Sequence, residues 1–363
     1  MISVIGAGPA GAYTSYLLAK QGYDVKLFEE HTTIGSPIQC TGILTEGIFK
    51  FFKPKKETIA NTISRIKIHS QNEEVELKLK KKEIIVNRTE FDRSIADMAH
   101  DAGTEVLTGH RFLEKQGKNI IIQNVKNLEK KQFSPSYLIG ADGPNSQVAK
   151  SSNIHGGRRF WIARQCRAKI NSEKDLFKVH FDKNISPDFF GWVVPENEKI
   201  ARIGIGAEKN SEEYFKRYLL KLGNPEIIDY QAGLIPIYDP KLPRQKNNIY
   251  LIGDAALQTK ALSGGGIIKG MMAAEELNKA IINNLDYEKL WRKRMGKDLL
   301  LSLKIRNFLN ELNNEDYDKL TSSFNENALS LFNREFPKKS LLNVLLRSPK
   351  LDFFMLSKLI KIF

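Results

Sequence analysis

The sequence predicts a mixed α/β (α+β) chain. It combines a doubly wound domain with a parallel sheet, an antiparallel β-sheet domain inserted into it, and a helical C-terminal region. Three observations predict this. A short apolar strand, a glycine turn and a helix open the chain, and a second strand follows at once. Two later apolar strands, at 137–140 and 248–252, each run into an Asp/Gly turn. Between these α/β signals lie two stretches of alternating, strand-like residues.

Taken in order, residues 2–5 read as a buried strand, 9–20 as a helix and 24–29 as a strand. Lysine runs at 53–56 and 78–82 flank alternating segments that look like an edge hairpin, and such runs are expected on solvated strand ends and loops. Residues 88–102 have helical periodicity and stop at Gly103, before strand-like pieces at 105–107 and 120–125. Residues 160–207 are almost wholly strand-like, and an amphipathic helix follows near 211–222. The triplet Gly264-Gly265-Gly266 opens a long helix ending near Asn284. The pieces 1–60, 87–152 and 245–285 therefore form one discontinuous domain. Segments 61–86 and 153–244 form the β-rich domain, and 286–363 is helical.

Gly6-Ala7-Gly8-Pro9-Ala10-Gly11 is a GxGxxG set between a strand and a helix. Gly6 allows the tight turn, Gly8 lets backbone approach a pyrophosphate, and Gly11 permits close helix–strand packing. The helix N-terminus, at Pro9 and Ala10, offers N–H groups to phosphate. Glu29 lies 21 residues past Gly8, at the end of the second strand, which is the spacing of a ribose-hydroxyl acceptor. Glu30 should point the other way, and His31 reads as a surface residue. This context predicts a Rossmann-like dinucleotide site and leaves NAD and FAD open.

Ala141-Asp142-Gly143-Pro144-Asn145-Ser146, Gly253-Asp254-Ala255-Ala256 and Arg88-x-x-x-Asp92 accompany the fingerprint. Together they resemble the FAD-dependent aromatic hydroxylase superfamily, of the p-hydroxybenzoate hydroxylase type. The resemblance implies FAD as cofactor. It places Asp254 at the ribityl chain and pyrophosphate, Asp142 near the dinucleotide pocket and Arg88 near the cofactor.

Three segments narrow the resemblance. Gly35-Ser36-Pro37-Ile38-Gln39-Cys40-Thr41-Gly42 is similar to the cysteine-bearing loop of the geranylgeranyl reductase family. Phe190-Gly191-Trp192-Val193-Val194-Pro195 resembles its Y-x-W-x-F-P substrate motif, with Phe190 and Val194 replacing its tyrosine and phenylalanine. Ser263-Gly264-Gly265-Gly266-Ile267 matches its flavin-facing glycine loop. The family implies hydrogenation of prenyl chains, either on archaeal-type polyprenyl glycerophospholipids or as free diphosphates.

The residue types suit that chemistry. Saturating an isolated C=C adds a hydride to one carbon and a proton to the other, and positive charge develops on a branched carbon. Thiols are mostly protonated at neutral pH, so Cys40 is a candidate proton donor. Trp192 and Phe190 are candidates to line an isoprenoid tunnel and face the developing cation. Cys166 reads as structural. A flavin monooxygenase or halogenase is the rival enzyme class, and a non-catalytic flavin-binding membrane protein is the rival outside enzymes. Ferredoxin, a deazaflavin and NADPH all stay open as electron donor, because no second GxGxxG unit is visible.

Composition limits the partners. Of 363 residues, 41% are hydrophobic and 27% charged, which excludes a disordered chain, and two cysteines exclude a disulfide scaffold. The net charge of +14 predicts attraction to polyanions. No phosphate loop ending in GKS/T, zinc-spaced cluster or aromatic RNA-binding signature accompanies it, so nucleic acid is not an expected partner. No apolar run approaches the ~20 residues of a membrane span. Met1 leads straight into an apolar strand, so no signal peptide is expected. Residues 336–363 carry six basic side chains against Asp352, interleaved with large apolar groups. That pattern predicts either peripheral membrane contact by a cytoplasmic protein or a docked terminal helix.

Overall fold

The computed structural model describes residues 1–324. The basic segment 336–363 and its expected membrane contact lie outside the described residues. In chain order, β1 (Ile2–Ile5), α1 (Pro9–Ala19) and β2 (Val25–Glu29) make the opening unit. Then come β3 (Ile43–Leu44), β4 (Ile59–His69), β5 (Glu74–Val86), α2 (Arg88–Asp101) and β6 (Glu105–Thr108). A meander of β7 (His110–Gln116), β8 (Asn119–Asn124) and β9 (Lys130–Phe133) leads to β10 (Tyr137–Gly140) and α3 (Gln147–Ser151). The next run is β11 (Phe160–Lys169), β12 (Leu176–His180), β13 (Gly191–Pro195), β14 (Ile200–Ala207), α4 (Ser211–Lys221) and β15 (Glu226–Pro236). The described chain ends with β16 (Gln245–Lys246), β17 (Ile249–Leu251), α5 (Ile267–Asn283), α6 (Tyr287–Trp291), α7 (Lys297–Glu311) and α8 (Asn314–Ser323).

Six strands form one sheet in the order β16-β17-β10-β1-β2-β6. All its pairings are parallel except that of the short edge strand β16. A parallel sheet is covered on both faces, so β1 is buried at all four residues and reads as a continuous apolar run. Val4 and Leu27 pack with Leu18, Phe91 and Met271 from α1, α2 and α5. Ile5, Phe28 and Leu138 pack on the other side with Phe112, Ile120 and Ile122 of the meander. The strand-like piece at 120–125 thus belongs to a separate three-stranded sheet laid on the parallel one.

Eight strands form the second sheet, ordered β15-β11-β14-β13-β12-β4-β5-β3. It is antiparallel apart from the β12–β4 pairing. The β4–β5 hairpin is not a free edge as its alternation suggested: β4 is internal, and the two-residue β3 caps β5. Ile43–Leu44, inside the segment 1–60 that the sequence placed in the nucleotide domain, therefore joins the β-rich sheet. The sequence offers no sign of this because two residues carry no period. Lys53, Lys78 and Lys80–Lys82 lie mostly at the surface. One face of this sheet packs on α4 through Cys166, Ile203, Phe215 and Tyr218. The other presents Ile66, Phe177, Val179, Phe190 and Trp192 toward the parallel sheet.

Candidate functional site

Between the two sheets lies a cavity of about 1570 Å³. It runs from the carboxyl ends of β1, β2, β10 and β17 to the apolar face of the eight-stranded sheet, with α7 and α8 at its far side. Of the candidate cofactor and catalytic residues in the sequence, every one borders this cavity except Gly11.

At the nucleotide end the backbone itself makes the cradle. Gly6 has φ +98°, and a Cβ there would sit 2.4 Å from Ala141 O. A Cβ on Gly11 would lie 2.0 Å from Gly6 O, so Gly11 acts behind the turn as a packing residue. Gly8 and Gly143 face open space, as backbone approached by a ligand must. No side chain caps the N-terminus of α1 at Gly8-Pro9. Glu29 is held at the end of β2, with Oε2 accepting from Ala7 N at 2.9 Å and Oε1 accepting from His31 N at 2.9 Å. His31 is exposed as expected, yet its Nδ1 also lies 2.7 Å from Glu29 Oε1 and its ring borders the cavity. Glu30 turns to Arg111 at 2.9 Å.

The three aspartates have different tasks. Asp142 accepts from Ser146 Oγ at 2.6 Å and from Val148 N at 3.0 Å, so its carboxylate is spent holding the start of α3. Burial raises its pKa. Asp92 receives two hydrogen bonds from Arg88, at 2.9 and 2.7 Å. Burial pulls the Arg88 guanidinium down, but Asp92 and the neighbouring Cys40 outweigh it, and the net shift is upward. Asp254 is also raised by burial, and Thr259 Oγ1 donates to its Oδ1 at 3.1 Å. Its second oxygen accepts from none of the described residues, and a Cβ on Gly266 would lie 2.7 Å from Oδ1. An open glycine cradle, an uncapped helix start and a carboxylate with spare acceptor capacity fit the needs of FAD, and Asp254 and Gly8–Ala10 are the candidates to hold its hydroxyls and pyrophosphate.

The Cys40 loop lines the cavity from Gly35 to Gly42. Gly35, at φ +77°, packs against Thr89 of α2, and Gly42 N donates to Cys40 Sγ at 3.3 Å. Beyond the loop the wall becomes aromatic. Phe189 and Phe190 stack at 4.1 Å, and Trp192 meets Phe190 edge-on at 6.0 Å. Gly264, Gly265, Gly266 and Ile267 border the same space, with Gly264 beside Phe189 and Ile235. Cys166 is buried on the opposite face of the sheet, where burial pushes its thiol up to about 12. It has no access to this chemistry.

Residues 1–165 match the FAD binding domain family. The chain is 28% identical to digeranylgeranylglycerophospholipid reductase 2 of Methanothermobacter thermautotrophicus, over 96% of this chain and 97% of that one. It is 29% identical to digeranylgeranylglycerophospholipid reductase of Methanosarcina acetivorans, over 90% and 88%. Among solved structures, a geranylgeranyl bacteriochlorophyll reductase-like protein of Thermoplasma acidophilum superposes with TM-score 0.84, covering 100% of this chain and 98% of that one at 23% identity. Over most of its length the chain is thus similar to proteins named as digeranylgeranylglycerophospholipid reductases, and its N-terminal part matches an FAD binding domain. Its cofactor is FAD. A flavin-dependent brominase shares the fold at TM-score 0.65 and 17% identity, over 89% of this chain and 90% of that one.

Several cavity residues carry no sequence motif. Phe177, Val179 and Phe181 line one side in strict alternation, a period visible in 176–181 but without a motif to flag it. Ile305, Phe308, Leu309 and Tyr317 close the far side from α7 and α8. Arg306 is fully buried, and it donates to Ala261 O, Leu262 O and Phe189 O at 3.2, 2.8 and 3.0 Å. Its guanidinium lies 4.7 Å from the Phe189 ring and 5.4 Å from that of Phe190. Burial lowers its pKa to about 10. No local pattern marks a lone arginine in a helix as the tie between the aromatic wall and the loop before the glycine triplet.

Proposed function

We propose that this protein is an FAD-dependent reductase that saturates C=C bonds of geranylgeranyl or other prenyl chains. The chains are carried on archaeal-type ether lipids or as prenyl diphosphates. One observation carries the reading: the nucleotide cradle and a deep aromatic and aliphatic compartment are two ends of a single cavity. A hydroxylase acting on a small polar ring has no need of walls formed by Phe177, Val179, Phe181, Ile305 and Phe308. The names of the relatives agree with a prenyl lipid.

Bound reduced FAD supplies the hydride and gives up two electrons. The chain supplies the rest. Cys40, on a loop between Arg88 and the aromatic wall, holds the proton for the other carbon. Trp192 presents its π system to the carbon that becomes electron-poor. Phe190 already has the Arg306 cation near its ring, so it serves mainly as wall. A lipid substrate also gives peripheral membrane contact a purpose, and segment 336–363 is our candidate for it.

The test is an anaerobic one. The holoenzyme is reduced with dithionite, digeranylgeranylglycerophospholipid is added, and flavin absorbance and product mass are followed. The expected result is reoxidation without oxygen and a gain of one H2 per double bond. Reoxidation only with oxygen, with a hydroxylated or halogenated product, overturns the assignment. Replacing Cys40→Ala is expected to leave FAD bound and slow alkene reduction by at least about tenfold. Unchanged turnover removes Cys40 from the role.

A further inference from the structure

Four adjacent strands bring one row of residues together. Gln231 of β15 pairs with Gln165 of β11, Gln165 with Gly204 of β14, and Gly204 with Trp192 of β13. Because Gly204 has no side chain, the indole of Trp192 lies across β14. A Cβ on Gly204 would fall 2.4 Å from Trp192 Cζ2. The indole Nε1 thereby reaches Gln165 and donates to its Oε1 at 2.9 Å. Thr41 Oγ1, from the loop over the sheet, donates to the same oxygen at 2.6 Å. An indole N–H only donates, so the atom facing it must be the amide oxygen. The amide nitrogen is then turned to Gln231 Oε1, at 2.6 Å.

The loop is fastened on both sides of Cys40. Arg202 Nη1 donates to Thr41 O at 2.6 Å, and a Cβ on Gly233 would lie 2.8 Å from Gln39 O, so Gln39 sits directly on β15. We propose that Gln165 is the positioning residue that holds the Cys40 loop in register with Trp192. Proton donor and aromatic wall then act on the same end of the substrate. The inference rests on the function proposed above. Gln165 is 4% exposed on the cavity face of the sheet, where a buried amide contributes little net stability even when satisfied. What the shared oxygen does contribute is geometry: one atom sets the distance between a loop and a wall that no covalent path connects closely.

The experiment compares Gln165→Leu, Gln165→Glu, Thr41→Val and Thr41→Ser holoenzymes. Two readouts are used: the rate of Cys40 alkylation by iodoacetamide, and the rate of flavin reoxidation by geranylgeranylated lipid. Cys166 is fully buried, and Cys40→Ala supplies the alkylation blank. In an apolar surrounding a glutamic acid stays protonated, keeping a carbonyl oxygen for Thr41 and Trp192 and an O–H for Gln231. Gln165→Leu and Thr41→Val are expected to change alkylation by about tenfold and slow reoxidation by about tenfold with lipid KM within about twofold. Gln165→Glu and Thr41→Ser are expected to restore both. Wild-type alkylation in Gln165→Leu and Thr41→Val overturns the proposal, and so does altered alkylation with unchanged reoxidation. Full turnover in Cys40→Ala sinks the proton-donor reading instead, and the alkylation rates still decide whether Gln165 holds the loop.

Discussion

At the nucleotide end of the cavity, Gly6, Gly8 and Gly11 fall within six consecutive residues: Gly6 and Gly11 answer close neighbours in the turn and beside β10, and Gly8 faces open space. At the apolar end, Gln165, Gly204 and Trp192 come from three different strands and meet only because their registers align. The first arrangement is local and is written in spacing. The second is a product of sheet pairing, where a slip by one residue would turn Trp192 to the α4 face. Both use missing side chains: Gly11 makes room for backbone, and Gly204 makes room for an indole. The lesson is that the same residue type serves binding at one end and geometry at the other, and that only the first use leaves a motif.

Breaking the nucleotide end should have the largest effect. Gly11→Ala places a Cβ against Gly6 O, where neither backbone can yield. We expect a folded protein that loses its yellow colour on desalting, with FAD affinity down by at least about a hundredfold, or about 2.8 kcal/mol. Retention of stoichiometric flavin absorbance would show that the turn can relax.

Gly204→Ala tests the apolar end. The new methyl drives the indole off β14 and away from Gln165. Overpacking of this kind costs about 1–3 kcal/mol. The expected outcome is full FAD content, lower stability in urea, and slower alkene reduction. Loss of FAD in this variant would mean that the two ends are not separable.

The smallest effect concerns the far face of the same sheet. There the His180 ring lies tilted against that of His69, with centroids 4.5 Å apart, and contacts Tyr218 Oη. Burial lowers the His180 pKa to about 3, with His69, Lys221 and Lys178 adding repulsion. A depressed histidine leaves the folded state proton-poor, so its contribution to stability is intact above the unfolded pKa of about 6.5. It is lost as pH falls from there toward 3, at up to about 1.4 kcal/mol per pH unit. Urea unfolding at pH 7 and pH 5 should therefore show His180→Gln losing about 1–2 kcal/mol less than the parent between the two. Equal losses would place the acid sensitivity in other groups. The raised carboxyls Asp92, Asp142 and Asp254 titrate in the opposite sense and do not supply it.

Much of this molecule is legible in its sequence. The opening strand, α1 and β2 follow from apolar runs bounded by glycines, and Arg88 to Asp101 from a helical period that ends at Gly103. The glycine fingerprint, Asp254, Cys40 and the Phe190–Trp192 segment are all carried by short motifs, and they come together around one cavity. These signals survive in sequence because a tight turn, a helix start or a strand end is specified by neighbours along the chain.

What the tertiary structure alone decided is how distant segments meet. It set β3 against β5 and Thr41 over Gln165, and it spent Asp142 on capping α3 while leaving Asp254 with an oxygen to spare. It also brought Arg306 from a C-terminal helix to the back of the aromatic wall. A hydrogen bond between residues far apart in sequence depends on strand register and on which face a side chain takes. Those are properties of the packed sheet, with no signature in the segments that compose it.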